Sequence, residues 1–301
     1  MTLTELKYIV TLAQERHFGR AAEKCFVSQP TLSVAIKKLE SELDVAIFER
    51  SKSSVTITPL GERIVAQAQR VLEESRTIKE LASEGKDQLS TPLKIGAIFT
   101  IGPYLFPHLV PQIHKQATTM PLYLEENYTG VLRRQLRDGE LDAIIVALPF
   151  TEPDVVTRPL YDENFVVVMP KNHPWTKQKS VNGEQLADED LLMLGEGHCF
   201  RDQVFEYCPA LGRKHHTRLG SVLEGSSLET LKHMVASGLG ITVLPESAVS
   251  NLDQNLVTTR PFSGQPPHRT VALAWRASFP RGQAIDLLLD TARQCRLDTR
   301  H

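Results

Sequence analysis

The chain has 301 residues, 41% of them hydrophobic, which is ample for more than one cored domain. Its 34 Lys plus Arg stand against 36 Asp plus Glu, a formal charge of −2, and this balance excludes a protein that holds nucleic acid through bulk basicity. No apolar run approaches the length of a membrane span, which excludes a membrane-spanning helix.

In chain order, the first informative stretch runs from Arg16 to Pro59. Phe18 to Cys25, then Val27 to Ser33, then Ile36 to Glu40 read as a helix-turn-helix. Ala21 and Ala22 are small enough for two helices to cross closely, Ser28 can cap the second helix, and Pro30 fits a first turn where its missing N–H costs nothing. The second helix is expected to begin at Pro30 or Thr31. Its apolar positions Leu32, Ala35, Ile36 and Leu39 recur at three and four residues and face inward. That leaves Thr31, Ser33, Val34, Lys37 and Lys38 outward, on a face that suits a DNA major groove. Between Arg16 and Lys38 five basic residues face only Glu23, a local net of +4. A compact patch of this kind is enough to hold phosphates. The plainer reading is a helical hairpin with solvated charges.

Phe48 to Arg50 and Val55 to Ile57 are two short alternating runs around a polar tip, and they read as a β-hairpin wing. Arg50 and Ser51 would lie beside the second helix, near the phosphate backbone. With this element the stretch from Leu3 to about Lys86 resembles the DNA-binding domain of the LysR-type transcriptional regulators. The resemblance rests on the order of helix-turn-helix, Phe48-Glu49-Arg50 wing and Thr58-Pro59-Leu60-Gly61 helix start. It implies that Ser28, Gln29, Pro30, Thr31, Ser33, Val34, Lys37, Arg50 and Ser51 meet double-stranded promoter DNA.

Thr58 and Pro59 open a helical pattern that runs to about Glu84, with Thr58 as its cap. Ile64, Ala68, Val71, Ser75, Ile78 and Ala82 follow a heptad seam with one polar break, so a dimerisation helix is expected, and the alternative is an amphipathic helix packed on its own domain. A dimer would present two second helices to half-sites roughly 34 Å apart. Small and polar residues from Ser83 to Pro92 read as a hinge. The expected organisation is a winged helix-turn-helix over 1–58, a linker helix over 59–86, a hinge over 87–92 and a regulatory domain over 93–301.

In the regulatory domain, strands are readable at Leu93–Phe99, Leu122–Glu126, Leu141–Leu148, Phe165–Pro170, Leu191–Leu194, Gly240–Leu244 and Val271–Trp275. Helical patterns lie at Tyr104–Lys115, Thr129–Asp138, Ser227–Ala236 and Gly282–Cys295. Such alternation favours an α/β domain with a mostly parallel sheet. The LysR-type resemblance implies two periplasmic-binding-protein-like subdomains, about 93–163 with 267–301 and about 164–266. Thr100 to Gly102, just after the first of these strands, and Tyr128 to Gly130, at a helix start, would then border a crevice where a small ligand could sit. Helix capping explains both equally well.

The N-terminus lacks a cationic start leading into an apolar core, so a cytoplasmic protein is expected, and reduced thiols with it. Cys25 and Cys295 read as small packing residues. Cys199 and Cys208 differ, because the segment from Leu194 to Pro209 begins with glycines, continues as a helix-like pattern and stops at Pro209. Cys199 would lie near a helix N-terminus, where unpaired N–H groups with His198 and Arg201 can favour the thiolate that attacks a peroxide. Asp202 would oppose this or act as an ordering acceptor. If 199–208 is helical, the thiols are roughly 13 Å apart along the axis, whereas a disulfide needs Cα atoms within about 7 Å. Dithiol helix and disulfide then exclude each other. Two inert cysteines, a redox pair, or a zinc site with His198, His215 and His216 remain open at this point; no short Cys-x-x-Cys spacing favours zinc.

The run from Gly197 to Gln203 followed by Cys208 resembles the sensing segment of the peroxide-responsive LysR-type regulators. That resemblance implies a peroxidatic Cys199, a resolving Cys208, and peroxide support from Thr100, Thr129 and His198, with Arg269 or the nearby Arg276 in the same neighbourhood. It implies a non-enzymatic transcription factor without cofactor or metal that binds DNA as a dimer of dimers, takes hydrogen peroxide as signal, and works with RNA polymerase and thiol reductants. The alternatives are a LysR-type regulator holding an organic metabolite in its crevice and, from another class, a thiol peroxidase, which the N-terminal domain argues against.

Overall fold

The computed structural model describes residues 1–50, 55–81, 88–209, 211, 224–249 and 255–295. The chain divides into two compact units, Met1–Gly85 and Lys86–His301.

In the first unit, helix α1 (Leu3–Glu15) starts with a reciprocal capping box between Thr2 and Glu5, and α2 (Phe18–Lys24) and α3 (Gln29–Leu43) follow. Ser28 caps α3 by accepting from the Thr31 N–H at 3.3 Å, so the helix begins one residue earlier than its proline implies. Ala21, Ala22, Leu32, Ile36 and Leu39 are buried with Leu6, Ile9 and Leu12 of α1. Strands β1 (Phe48–Arg50) and β2 (Val55–Ile57) pair antiparallel as the wing, with Phe48 opposite Ile57. The Glu40 carboxylate fixes the entry to the wing by accepting from the Ile47 and Phe48 N–H groups at 2.9 and 3.0 Å. Ser51, expected at the wing tip, lies outside the described residues.

Helix α4 (Pro59–Leu81) is capped by Thr58, whose Oγ1 accepts from the Gly61 N–H at 2.9 Å. Gly61 is required there, because a Cβ would meet the Ile47 carbonyl oxygen at 2.2 Å. The proposed heptad seam divides. Ala68 is buried in the core that α1 builds, and Ile64 and Val71 pack partly against that core, while Ile78 is 67% exposed. The expectation that all four residues serve a second copy is corrected accordingly: heptad spacing marks an apolar stripe, and α1 fills most of this one.

Among its described residues the second unit holds one nine-stranded sheet of order β4-β3-β5-β11-β6-β9-β7-β8, with β10 on β6. Its strands are β3 (Leu93–Ile98), β4 (Leu122–Asn127), β5 (Ala143–Ala147), β6 (Val155–Pro170), β7 (Leu191–Leu194), β8 (Glu224–Gly225), β9 (Ile241–Pro245), β10 (Val257–Pro261) and β11 (His268–Arg276). Pairing is parallel in β4-β3-β5 and β9-β7-β8 but antiparallel wherever β6 or β11 takes part. The expectation of a mostly parallel sheet is therefore corrected. β6 pairs with β11 through Asn164, then with β9 and β10 from Phe165 onward, so it carries the chain from one lobe to the other as extended strand with no helical crossover.

Two cores result, one on each side of this crossing. Lobe I is covered by helices α5 (Gly102–Gln116), α6 (Thr129–Arg137) and α9 (Gly282–Gln294), and lobe II by α7 (Cys199–Tyr207) and α8 (Leu228–Ala236). Arg281 pins the start of lobe I by donating to the carbonyls of Gln88, Thr91 and Pro92. No helix among the described residues is long and apolar enough to cross a membrane.

Four non-glycine residues among those described have positive φ, and one of them is an exposed aromatic. Phe26, between α2 and α3, has φ 57° and is 92% exposed. A left-handed backbone costs an L-residue roughly 1–2 kcal/mol, and this side chain recovers little by packing. Phe26→Gly is expected to stabilise the N-terminal unit by about 1 kcal/mol, read as a higher urea midpoint in its unfolding transition; an unchanged or lower midpoint would show that the turn is unstrained.

Candidate functional site

The residues expected to meet DNA are disposed on α3 as its periodicity implies. Ser28, Gln29, Pro30, Thr31, Val34 and Lys37 are exposed and Ser33 is half-buried, while Leu32, Ile36 and Leu39 point inward. The local charge is smaller than the +4 read from the sequence. Glu15 pairs with Arg20 and Lys24 at 3.5 and 2.7 Å, and Glu5 pairs with Lys38 at 3.3 Å. These acids come from α1, ahead of the counted stretch. Lys37 is exposed and makes no ion pair among the described residues.

The second site is the helix that carries two cysteines. β7 ends at Leu194, and Gly197, at φ +92°, takes a turn that other residues rarely adopt. α7 then begins at Cys199 with His198 as its N-cap residue. Phe200 and Val204 are buried in lobe II, where the Phe200 ring meets Phe165 edge-on at 4.8 Å. Cys199 instead is half-buried and packs against the core of lobe I. At the other end Cys208, the C-cap residue, is 3% exposed within the lobe II core and donates its N–H to the Val204 carbonyl at 3.0 Å. It is tightly seated, since a Cβ on Gly183 would stand 3.0 Å from its sulfur. Burial pushes the Cys208 thiol up to about 11. Gln203 donates to the Leu148 carbonyl of lobe I, and the Tyr207 hydroxyl donates to the Gln265 carbonyl, so both lobes grip the helix.

Four of the expected support residues lie on or next to the segments that pack around His198 and Phe200. His198 is buried, with its ring centroid 4.8 Å from Tyr128 and 6.0 Å from Phe99. Thr129 opens α6 directly after Tyr128, and Thr100 is buried directly after Phe99. Arg269 is buried too, its guanidinium 5.5 Å from the Phe200 ring, and donates to Thr100 Oγ1 and to the Thr100 carbonyl, both at 2.8 Å. Arg276 instead donates to the carbonyls of Leu136 and Leu141.

Three readings change. Burial lowers the pKa of His198, so its imidazole is neutral near pH 7 and adds no positive charge beside the sulfur. Arg201 turns away to the Leu194 carbonyl and Glu224, at 3.0 and 2.5 Å, and lies over the Phe205 ring. Asp202 is exposed in the first turn of α7 and makes no hydrogen bond or ion pair among the described residues. What remains beside Cys199 is the positive end of α7. Among the described residues no group of three His, Cys, Asp or Glu could hold a metal; His215 and His216 of the zinc alternative lie outside them. A cavity of about 670 Å³ opens in lobe II between Lys171–Lys179 and Val257–Pro261, and neither cysteine lines it.

One participant was not anticipated. Glu163, on β6, is 3% exposed and receives Arg269 Nε at 2.8 Å. Its partner is 106 residues away, and a lone Glu in a polar part of a strand carries no local signal of such a role.

Comparison with known proteins agrees with this architecture. Residues 3–62 match the bacterial regulatory helix-turn-helix family of LysR type, and residues 86–296 match the LysR substrate binding domain. The chain belongs to the LysR family of transcriptional regulators. Within that family it is 41% identical over 294 residues to the DNA-binding transcriptional dual regulator OxyR of Escherichia coli K12, covering 97% of this chain and 95% of that protein. It is 62% identical to a full-length OxyR variant from Pseudomonas aeruginosa, with a TM-score of 0.78 over 99% of this chain and 96% of that one. A hydrogen-peroxide-bound OxyR variant from Corynebacterium glutamicum matches at 32% identity and a TM-score of 0.65, over 98% and 92% of the two chains.

The different seating of the thiols predicts different reactivity. With Cys208 raised to about 11 against an ordinary 9, its thiolate fraction at pH 8 is lower by about two orders of magnitude, before access is considered. Iodoacetamide should label Cys199 well ahead of Cys208 in the reduced protein, as peptide mass spectrometry would show; equal labelling would contradict the buried seat. The sign for stability follows, since a raised thiol pKa stabilises the fold below about pH 9 and the contribution is lost as pH rises through about 11.

Proposed function

We propose that the chain is a peroxide-sensing transcriptional regulator switched by a reversible Cys199–Cys208 disulfide. The observation that carries the reading is that one nine-residue helix holds a thiol at each end, one against each lobe core. Sulfur of Cys199, as thiolate, attacks one oxygen of hydrogen peroxide; the O–O bond breaks, the departing oxygen leaves as hydroxide and is protonated to water, and Cys199 becomes a sulfenic acid. Cys208 then attacks that sulfur, a second water leaves, and the disulfide forms. Two equivalents of a cellular thiol return the dithiol.

Thr100, Thr129, His198 and Arg269 support the peroxide in this reading. Oxidation is stoichiometric sensing, and the output is a changed engagement of promoter DNA by the winged helix-turn-helix of residues 1–58. The protein works in the cytoplasm as a homodimer or homotetramer with RNA polymerase as its downstream partner, and residues 59–86 contribute to pairing through the exposed Ile78 of α4. Residues 87–92 form the hinge to the regulatory domain.

The test is a peroxide titration with thiol counting and DNA footprinting on the full chain. One equivalent should remove two free thiols, mapped to Cys199 and Cys208, and change the footprint. Cys199→Ser should keep DNA binding and lose the response, and Cys208→Ser should stop at the sulfenic acid or over-oxidise. A normal response in Cys199→Ser would overturn the redox reading and favour a metabolite sensor; sustained turnover of peroxide with a thiol donor would favour an enzyme.

A further inference from the structure

We propose that Glu163 is a positioning residue for the sensing reaction, acting through Arg269 to aim the Thr100 hydroxyl at the peroxide. The inference rests on the function proposed above and adds a residue to it.

Glu163 and Arg269 form a buried ion pair whose side chains are 2% and 0% exposed. Glu163 Oε2 accepts from Arg269 Nε at 2.8 Å and lies 2.7 Å from Nη2, while Oε1 accepts from the Ser247 N–H at 3.0 Å. Held from that side, the guanidinium directs its far edge at Thr100, with Nη1 donating to Oγ1 and Nη2 to the carbonyl oxygen. A hydroxyl has one hydrogen to give. Because Arg269 donates into Thr100 Oγ1, that oxygen is an acceptor in this contact, and its own hydrogen is free to point at a second partner. Thr100 is thereby set as a donor toward whatever lies beside Cys199.

The chemistry needs a donor. When the thiolate attacks one peroxide oxygen, negative charge gathers on the other as the O–O bond breaks, and a fixed O–H beside it stabilises the departing hydroxide and hands it a path to a proton. The pair is neutral as a whole, so Glu163 confines Arg269 to an orienting role and prevents an uncompensated positive charge beside the site. It also ties the parts together, since Ser247 belongs to lobe II, Thr100 to lobe I, and Glu163 and Arg269 to the crossing strands.

The experiment compares two reactions of the same sulfur in the full-length protein: oxidation of Cys199 by hydrogen peroxide and its alkylation by iodoacetamide, each across pH. Alkylation reports the thiolate and its access, whereas only peroxide needs an aimed donor. Glu163→Gln should slow peroxide oxidation by about tenfold or more while alkylation is unchanged or faster, because the charge left on Arg269 favours the thiolate. Glu163→Asp should fall between wild type and Glu163→Gln for peroxide, and it carries the test alone if the glutamine variant does not fold. Thr100→Val should lose a similar factor, and adding it to the Glu163 variant should cost little more. An unchanged peroxide rate, or equal losses in both reactions, would overturn the proposal. A wild-type Cys199 that peroxide does not oxidise would instead defeat the proposed function.

Discussion

The regulatory unit turns on how α7 is held. Phe200 and Val204 bury themselves in lobe II, each contributing roughly 1.5–3 kcal/mol when fully buried, and Cys208 completes that core at the helix end. Cys199, one residue before Phe200, leans the other way onto lobe I. Nine residues of helix separate the sulfurs by roughly 13 Å along the axis, and a disulfide tolerates about 7 Å between Cα atoms. The packing that makes the reduced state stable is the packing that forbids the bond. Forming the disulfide therefore costs the Cys208 seat and the last turn of the helix, and the covalent bond has to offset both. A local chemical event becomes a change in how a whole lobe packs.

The site at the N-terminal end of α7 depends on the crossing strands. β6 and β11 are the only strands that pair with one another and also link the lobes among the described residues, and they bring Glu163 and Arg269 into register as direct partners. An unpaired buried charge at either position would be heavily destabilising, so the two residues are structurally inseparable. The aromatic group of Phe99, Tyr128 and His198 closes the other side with a neutral imidazole. Positive potential near the sulfur comes from the helix terminus, while Arg269 is engaged by Glu163 and Thr100.

Local chemistry was legible from the sequence, and partnership was not. Ser28 and Thr58 were recognisable as caps because a cap is made by residues three positions apart. The strands Leu93–Ile98 and Leu191–Leu194 announced themselves as apolar runs. The stretch from Val155 to Asn164 did not, because Pro159 and three charged residues interrupt its pattern; Pro159 is tolerated beside the shift in register between β6 and β11. The stripe on α4 was visible, yet periodicity does not say that α1 fills it at Ala68. Arg201 stands two residues from Cys199 in the chain and still serves Glu224, while Arg269, seventy residues away, serves Thr100. Glu163 was invisible for the same reason, since its meaning lies wholly in a contact between distant strands.

The relation between helix and disulfide is open to direct measurement by hydrogen exchange at the amides of residues 199–208, before and after one equivalent of peroxide. In the reduced protein the Cys208 N–H is bonded to the Val204 carbonyl, and the turn around it should be protected. Once the Cys199–Cys208 bond has formed, that protection should be lost over the last turn of the helix while the Leu93–Ile98 strand of lobe I keeps its own. Full protection of the Val204–Cys208 turn in a protein shown by mass to hold the disulfide would contradict the claim that the two states exclude each other.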